Sequence, residues 1–134
     1  MKLKKINPLL FAPAFLFFLV TFYLFTLPGK DIPQVDWMEA IDMDKIVHVS
    51  LFVTIICLWC FPFKKSPMPA KKKIIWFSFI AVLGVCYGVS IEYIQKYFIV
   101  GRSFDLYDIL ADSIGCIIGY FLALKFLLKH GVMG

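Results

Sequence analysis

The sequence predicts an all-α fold, a bundle of four transmembrane helices with both termini in the cytoplasm. Of its 134 residues, 61% are hydrophobic, whereas soluble domains contain about half. The apolar residues also form four long blocks instead of short periodic runs. Basic residues cluster between alternate blocks. Because a chain of this size holds one core, we expect a single membrane domain over residues 1–134.

The four blocks predict helices at about 9–27, 44–61, 74–95 and 105–128. A helix needs about 20 residues to cross a bilayer, and the second block reaches this length only if its helix begins at Asp44. The first block follows a basic N-terminus, as in a signal peptide. Its apolar run exceeds the roughly 7–15 residues of a signal sequence and lacks a small-residue cleavage site. We therefore expect a retained helix, bent at Pro13.

The distribution of charge predicts the orientation. Lysines cluster at three places: Lys2, Lys4 and Lys5; Lys64, Lys65, Lys71, Lys72 and Lys73; and Lys125 and Lys129. The loop 28–45 is acidic, with Asp31, Asp36, Glu39, Asp42 and Asp44. By the positive-inside rule the lysine-rich regions lie in the cytoplasm. The net charge of +5 reflects this sorting, so we expect a multi-pass protein of the cytoplasmic membrane, in contact with lipid, with no nucleic-acid partner.

Ionisable and polar side chains gather near the predicted outer ends of three helices. The second helix opens with Asp44, Lys45 and His48. The third ends with Glu92 and Gln95. Arg102, Asp105, Asp108 and Asp112 follow. We expect these residues to form one site that faces away from the cytosol.

Burial of these acids in a membrane requires compensation, because a charged side chain at the bilayer centre costs at least about 2.5–3.5 kcal/mol. The negative charge could be offset by any one of five groups: protonated His48, Arg102, Lys45, a shared proton or a metal ion. A purely structural explanation also exists: Ser103 caps the fourth helix, Asp105 lies in its first turn, Arg102 extends toward head groups, and Asp44 pairs with His48. It leaves Asp108 and Asp112, like charges one turn apart, unexplained. We therefore favour a functional site and keep a structural network as the alternative.

Small residues predict how two of the helices pack. Gly84 and Gly88 lie one turn apart on the third helix, and Gly115 and Gly119 do so on the fourth. Such pairs let membrane helices approach closely. We expect the two glycine ridges to pack against each other, which would turn Glu92 and Asp112 inward.

The chain resembles the VanZ-like family of small membrane proteins over about residues 44–123. The matching motifs are Asp44-Lys45-x-x-His48, Gly88-x-x-x-Glu92-x-x-Gln95, and Arg102-x-x-Asp105-x-x-Asp108 followed by Gly115 and Gly119. Phe52 and Asp112 depart from the pattern, which often has Tyr and Asn there. The family takes its name from a protein linked to teicoplanin resistance, so the resemblance implies a role in the cell envelope. It brings no catalytic residues.

Three functions fit these observations. The first is binding of an envelope component, such as a precursor head group or a peptide terminus, with a role in glycopeptide antibiotic resistance or envelope maintenance. The second is a metal-dependent or acid–base enzyme acting on a lipid-linked substrate. One histidine among carboxylates suits Mg²⁺ or Mn²⁺ better than zinc. The third is a structural subunit that packs against a membrane protein partner. Because no clear nucleophile is present, we favour binding over catalysis.

Overall fold

The computed structural model describes residues 5–29, 36–37 and 43–128, and these residues form four α-helices and no strand. The helices are α1 (Ala12–Phe25), α2 (Met43–Cys60), α3 (Ala70–Phe98) and α4 (Leu106–Leu127). Short 3-10 helices, Pro8–Phe11 and Phe61–Lys65, extend α1 and α2. The predicted all-α class with four helices is confirmed.

All four helical segments are long and apolar enough to cross a membrane: Pro8–Phe25, Met43–Lys65, Ala70–Phe98 and Leu106–Leu127. Large apolar side chains such as Phe15, Leu16, Val82 and Phe121 remain exposed on their surfaces. Apolar surface of this extent requires a nonaqueous partner, and a bilayer provides it. The protein is therefore a multi-pass membrane protein that contacts lipid.

Several residues used to predict the orientation lie outside the described part of the chain, namely Lys2, Lys4, Asp31, Glu39, Asp42 and Lys129. The cytoplasmic placement of both termini remains a prediction from charge.

Helix boundaries follow local chemistry. Helix α2 takes in Asp44, as predicted. Helix α3 begins at Ala70, earlier than the predicted residue 74, directly after Pro69. Lysine is a good helix former, so the three basic residues after Ala70 extend the helix. Pro13 lies in the first turn of α1, where its missing N–H has no intrahelical partner to lose. It therefore does not interrupt α1, and the chain before the helix forms a 3-10 turn.

The glycines of α4 pack against α2, and the prediction that the two glycine ridges face each other is wrong. A Cβ added at Gly115 would lie 2.6 Å from the carbonyl oxygen of Val49, and one at Gly119 would lie 2.7 Å from Cβ of Ile56. Gly88 of α3 instead faces Asp112, and Gly84 faces both Cys116 and Ile56.

The rotation of α4 explains this arrangement. Gly115 and Gly119 follow Asp112 and Cys116 by three residues, which is a turn of about 300° around a helix. Helix α4 therefore presents two adjacent faces, one to α2 and one to α3. The expected consequence is nonetheless found, since Glu92 and Asp112 are both buried.

Helix α1 is attached at the end of the bundle where α1 and α3 end and α2 and α4 begin. The Gln95 side-chain amide donates to the carbonyl of Phe25 at 2.9 Å, and the hydroxyl oxygens of Thr21 and Tyr87 are 3.2 Å apart. The N–H of Gly29 donates to the carbonyl of Val100 at 3.1 Å. These contacts place the end of α1 beside the polar residues of the other three helices.

Candidate functional site

Seven ionisable side chains from three helices meet at one end of the bundle. They come from the first turns of α2, the last turns of α3 and the start of α4, and we call them the polar cluster. Its members are Asp44, Lys45, His48, Glu92, Asp105, Asp108 and Asp112. The structure thus brings together seven of the nine residues singled out in the sequence.

Lys45 links α2 to the beginning of α4. Its Nζ atom lies 3.2 Å from Oδ2 of Asp44 and 2.7 Å from Oδ2 of Asp105, and it also donates to Oδ1 of Asp108. An ammonium group has three hydrogen-bond donors, so these three carboxylates use its full capacity. The Lys45 side chain is 29% exposed, which places this group at the rim of the cluster.

His48 lies in the interior of the cluster and is buried. Its Nδ1 atom lies 2.7 Å from Oδ1 of Asp112. Its Nε2 atom lies 3.7 Å from Oδ1 of Asp44 and 3.8 Å from Oδ2 of Asp108. An ionised carboxylate only accepts hydrogen bonds, so with Asp112 ionised this contact requires a proton on Nδ1. In neutral histidine this leaves the Nε2 lone pair facing the other two acids.

Two buried carboxylate oxygens in the cluster have no hydrogen-bond donor among the described residues. Glu92 is fully buried, and its Oε2 accepts from the backbone N–H of Asp105 at 3.0 Å. Its Oε1, like Oδ2 of Asp112, has no such partner. A buried acceptor without a donor costs about 1–3 kcal/mol, and more if it is charged. These two oxygens can therefore accept a hydrogen bond from an added donor.

Asp105 caps α4, and the suggestion that Ser103 does so is wrong. The side chain of Asp105 accepts from the N–H of Tyr107 at 2.8 Å, and its backbone is extended, as is typical of a cap. The helix begins at Leu106, which is too late for Ser103 to be its cap. The hydrogen bond from Lys45 holds the pKa of Asp105 below its usual value of 3.8.

The two remaining predicted residues are placed differently. Gln95 is buried, but its amide binds the end of α1. Arg102 forms no ion pair with any carboxylate in the described ranges, and its buried Nε atom has no hydrogen-bond partner there. Direct compensation of the clustered acids therefore comes from Lys45 and His48, and not from Arg102.

The family comparison covers almost the entire chain. Residues 5–129 match the VanZ/LLP1 family. The chain belongs to this family. The match confirms the resemblance and includes every member of the polar cluster. No curated protein and no solved structure matches the chain significantly.

The two positions expected to depart from the VanZ-like pattern are Asp112, within the polar cluster, and Phe52, one helical turn after His48. Asp112, where the pattern often has asparagine, pairs with His48. Asparagine could accept the same hydrogen bond without a charge. Phe52, where the pattern often has tyrosine, is fully buried, and its ring centroid lies 6.0 Å from that of Phe25. This chain therefore has a buried carboxyl group at 112 and no hydroxyl at 52.

Two groups of side chains in this VanZ/LLP1 protein have the geometry to hold a metal ion. One group is Asp44, His48 and Asp108, and the other is His48, Glu92 and Asp112. Within each group the ligand atoms lie within 4.8 Å of one another. Histidine with carboxylates is a ligand set for divalent cations of the Mn²⁺ or Mg²⁺ type.

An aromatic layer beneath the cluster was not predicted from the sequence. The ring of Phe25 lies 5.0 Å from the His48 ring, and the ring of Tyr87 lies 5.7 Å from that of Phe52. Phe52 follows His48 by one turn of α2, so these rings lie directly beneath the histidine. Phenylalanine is too common in this sequence, with 15 residues, for these positions to stand out.

Proposed function

We propose that this VanZ/LLP1-family protein binds the polar head group of a cell-envelope component in its polar cluster. The main support for this proposal is that two buried oxygens, Oε1 of Glu92 and Oδ2 of Asp112, have no hydrogen-bond donor among the described residues. A ligand that carries ammonium or hydroxyl groups would supply these donors. Because such an oxygen is costly when unpaired, binding would recover part of that cost.

The charge of the cluster indicates which part of a ligand enters it. Its acidic side chains outnumber its basic ones, and Lys45 is already shared among three acids. A cationic or donor-rich group is therefore favoured over an anion. An amino-bearing lipid head group or a peptide terminus has such a group.

An apolar recess supports a ligand that also has a hydrocarbon chain. It has a volume of about 220 Å³, and its walls include Phe18, Ile56, Gly84 and Tyr87. Tyr87 belongs to the aromatic layer below His48, and Gly84 lies two helical turns before Glu92. A lipid-linked component would thus have a place for its chain within about 12 Å of the cluster along α3.

The proposed location is the extracytoplasmic face of the cytoplasmic membrane, supported by the sorting of lysines and acids between loops. A test uses cysteines placed at Ser103 and Lys71, both exposed, in a background lacking the four native cysteines. A membrane-impermeant maleimide applied to intact cells should label the Ser103→Cys variant alone. Labelling of the Lys71→Cys variant alone would show the opposite orientation and contradict the proposed location. Envelope maintenance or glycopeptide resistance is the role that this location favours.

The binding test uses purified protein in nanodiscs. The probes are a polyprenyl-linked peptidoglycan precursor, an aminoacylated phosphatidylglycerol and plain phosphatidylglycerol. We expect an amino-bearing probe to bind the wild type. Its affinity should fall about tenfold in the Glu92→Gln variant, because that variant loses one charged hydrogen bond. Asp36→Asn is the control, since Asp36 is exposed and outside the cluster. Absence of binding to all three probes, or equal losses in both variants, contradicts the proposal.

A second function, acid–base catalysis on a lipid-linked substrate, is favoured by the His48–Asp112 pair. A carboxylate that holds one nitrogen of a histidine leaves the other available to exchange a proton. The test incubates the protein with the same precursor and follows its products by mass spectrometry. Turnover that disappears in the His48→Gln variant supports catalysis, and no turnover with the wild type rules it out in favour of binding.

A further inference from the structure

We propose that His48 Nε2, Asp44 Oδ1 and Asp108 Oδ2 form a site for a divalent cation of the Mn²⁺ or Mg²⁺ class. The site lies within the polar cluster, but it does not depend on binding of an envelope component. It stands on the orientation of the histidine, on the separation of the three ligand atoms and on the burial of the histidine whose Nε2 faces the two carboxylates.

The orientation of His48 is that of a metal ligand held by a second carboxylate. Asp112 lies 2.7 Å from Nδ1, which, with Asp112 ionised, requires the proton there and directs the lone pair of Nε2 outward. Metal-binding histidines almost always donate their other N–H to a carboxylate, carbonyl or water. Asp112 is therefore a positioning residue, and Nε2 is the ligand atom.

The distances from Nε2 fit two ligands of one ion better than they fit hydrogen bonds. The oxygens of Asp44 and Asp108 lie at 3.7 Å and 3.8 Å, beyond the range of a good hydrogen bond. Ligand bonds of about 2.0–2.2 Å place two ligands of one ion about 3–4 Å apart. A cation between these three atoms would need little movement of the side chains.

Lys45 leaves the required oxygens free. It contacts Oδ2 of Asp44 and Oδ1 of Asp108, whereas Nε2 of His48 faces the opposite oxygen of each carboxylate. One oxygen of each acid is thus fixed by the ammonium group, and the other is directed toward the histidine. Lys45 orients the ligands without occupying the site.

The surroundings supply an independent indication of a cation. The His48 side chain is 3% exposed, and its Nε2 faces the oxygens of Asp44 and Asp108 at 3.7 Å and 3.8 Å, beyond hydrogen-bond distance. Elsewhere in the cluster, Oε1 of Glu92 and Oδ2 of Asp112 also lack donors among the described residues. The cluster contains five acids and one lysine, and Glu92, Asp108 and Asp112 are buried, so a divalent cation would offset negative charge there.

Access and ligand type favour Mn²⁺ and Mg²⁺. The Asp44 side chain is 59% exposed, so an ion can enter from the rim and keep water as its remaining ligands. Carboxylates and water suit Mg²⁺ and Mn²⁺, which bind few protein groups at such sites, and imidazole extends the preference toward transition metals. Mn²⁺ is the better probe because it is paramagnetic.

The test measures Mn²⁺ binding to the detergent-purified full chain, prepared with a tag that contains no histidine and washed with EDTA. Titration followed by electron paramagnetic resonance gives the dissociation constant, and pulsed measurements detect a coordinated imidazole nitrogen. We expect one Mn²⁺ with nitrogen coupling, displaced by excess Mg²⁺. The His48→Gln variant should lose the coupling, and Asp108→Asn should weaken binding at least about tenfold. Asp36→Asn, outside the cluster, should leave both unchanged.

Three results would overturn the site: no saturable binding, binding without nitrogen coupling, or equal weakening in Asp36→Asn. Gel filtration and circular dichroism confirm that each variant is folded, and Asp112→Asn provides a second, conservative variant. Because asparagine still accepts from Nδ1, we expect coupling to persist with an affinity about tenfold lower. Envelope ligands are tested on the EDTA-washed protein, so their failure leaves this site standing, and failure of Mn²⁺ binding leaves the proposed function standing.

Discussion

Nδ1 of His48 lies 2.7 Å from Oδ1 of Asp112, and this buried contact joins α2 to α4 within the first two turns of each helix. The two side chains are 3% and 1% exposed. Helix α4 is turned so that its glycines meet α2 while Asp112 meets Gly88 of α3. The contact therefore fixes the position at which three helices bring their ionisable groups together.

The first prediction concerns the strength of the His48–Asp112 contact. His48→Leu should lower the free energy of unfolding by about 3–5 kcal/mol, because it leaves a buried carboxylate without its partner. The double variant with Asp112→Leu should lose less than the sum of the two single variants. SDS titration in mixed micelles measures all four proteins of the cycle. Additive losses would show that the two residues do not act as a pair.

The second prediction compares two glycines. Gly115→Ala should destabilise the protein by about 1–3 kcal/mol, because its Cβ would lie 2.6 Å from a backbone oxygen of Val49. At Gly84 the nearest atoms are Cδ1 of Ile56 and Sγ of Cys116, side-chain ends that can move. Gly84→Ala is therefore the matched control and should cost less in the same SDS titration. The reverse order would mean that α4 does not pack against α2 through Gly115.

The third prediction concerns the attachment of α1. Gln95→Leu removes the 2.9 Å bond to the carbonyl of Phe25 and should destabilise the end of α1 by about 1–2 kcal/mol. Hydrogen exchange by mass spectrometry should show faster exchange in α1 than in α4. Lys96→Met is the control, since Lys96 is exposed at the same helix end. Equal exchange in both variants would contradict a specific role for Gln95.

The sequence predicted the four helices and most of the cluster because both follow from one-dimensional signals. Long apolar blocks define the helices, and charged residues inside or beside such blocks are conspicuous. Asp44, Lys45 and His48 lie at the start of one block, so their placement at a helix end followed directly from the sequence.

Contacts between helices could not be predicted in the same way. The rotation of α4 about its axis decides whether Gly115 packs against α2 or α3. The spacing of glycines along one helix does not determine this rotation. Arg102 shows the same limit, because its loop could have directed it to the acids or away from them. Lys45 is the main basic partner of the acids because the start of α2 packs against the start of α4, which brings Lys45 to Asp105 and Asp108.

The last prediction concerns pH and Asp105, which lies just outside the α4 membrane segment. Its pKa in the folded protein is lowered below 3.8, chiefly by the hydrogen bond from Lys45. A carboxyl group with a lowered pKa stabilises the fold fully above its unfolded pKa, and this contribution is lost as the pH falls through the folded pKa.

The Asp105→Asn variant can still cap α4 but loses the charged contact with Lys45. The wild type should therefore be more stable than this variant by a few tenths to about 1 kcal/mol near neutral pH, as for a partly exposed ion pair. The difference should shrink as the pH falls below about 4. SDS titrations of both proteins between about pH 7 and about pH 3 measure it. A difference that stays constant across this range would show that Lys45 does not stabilise the ionised form of Asp105.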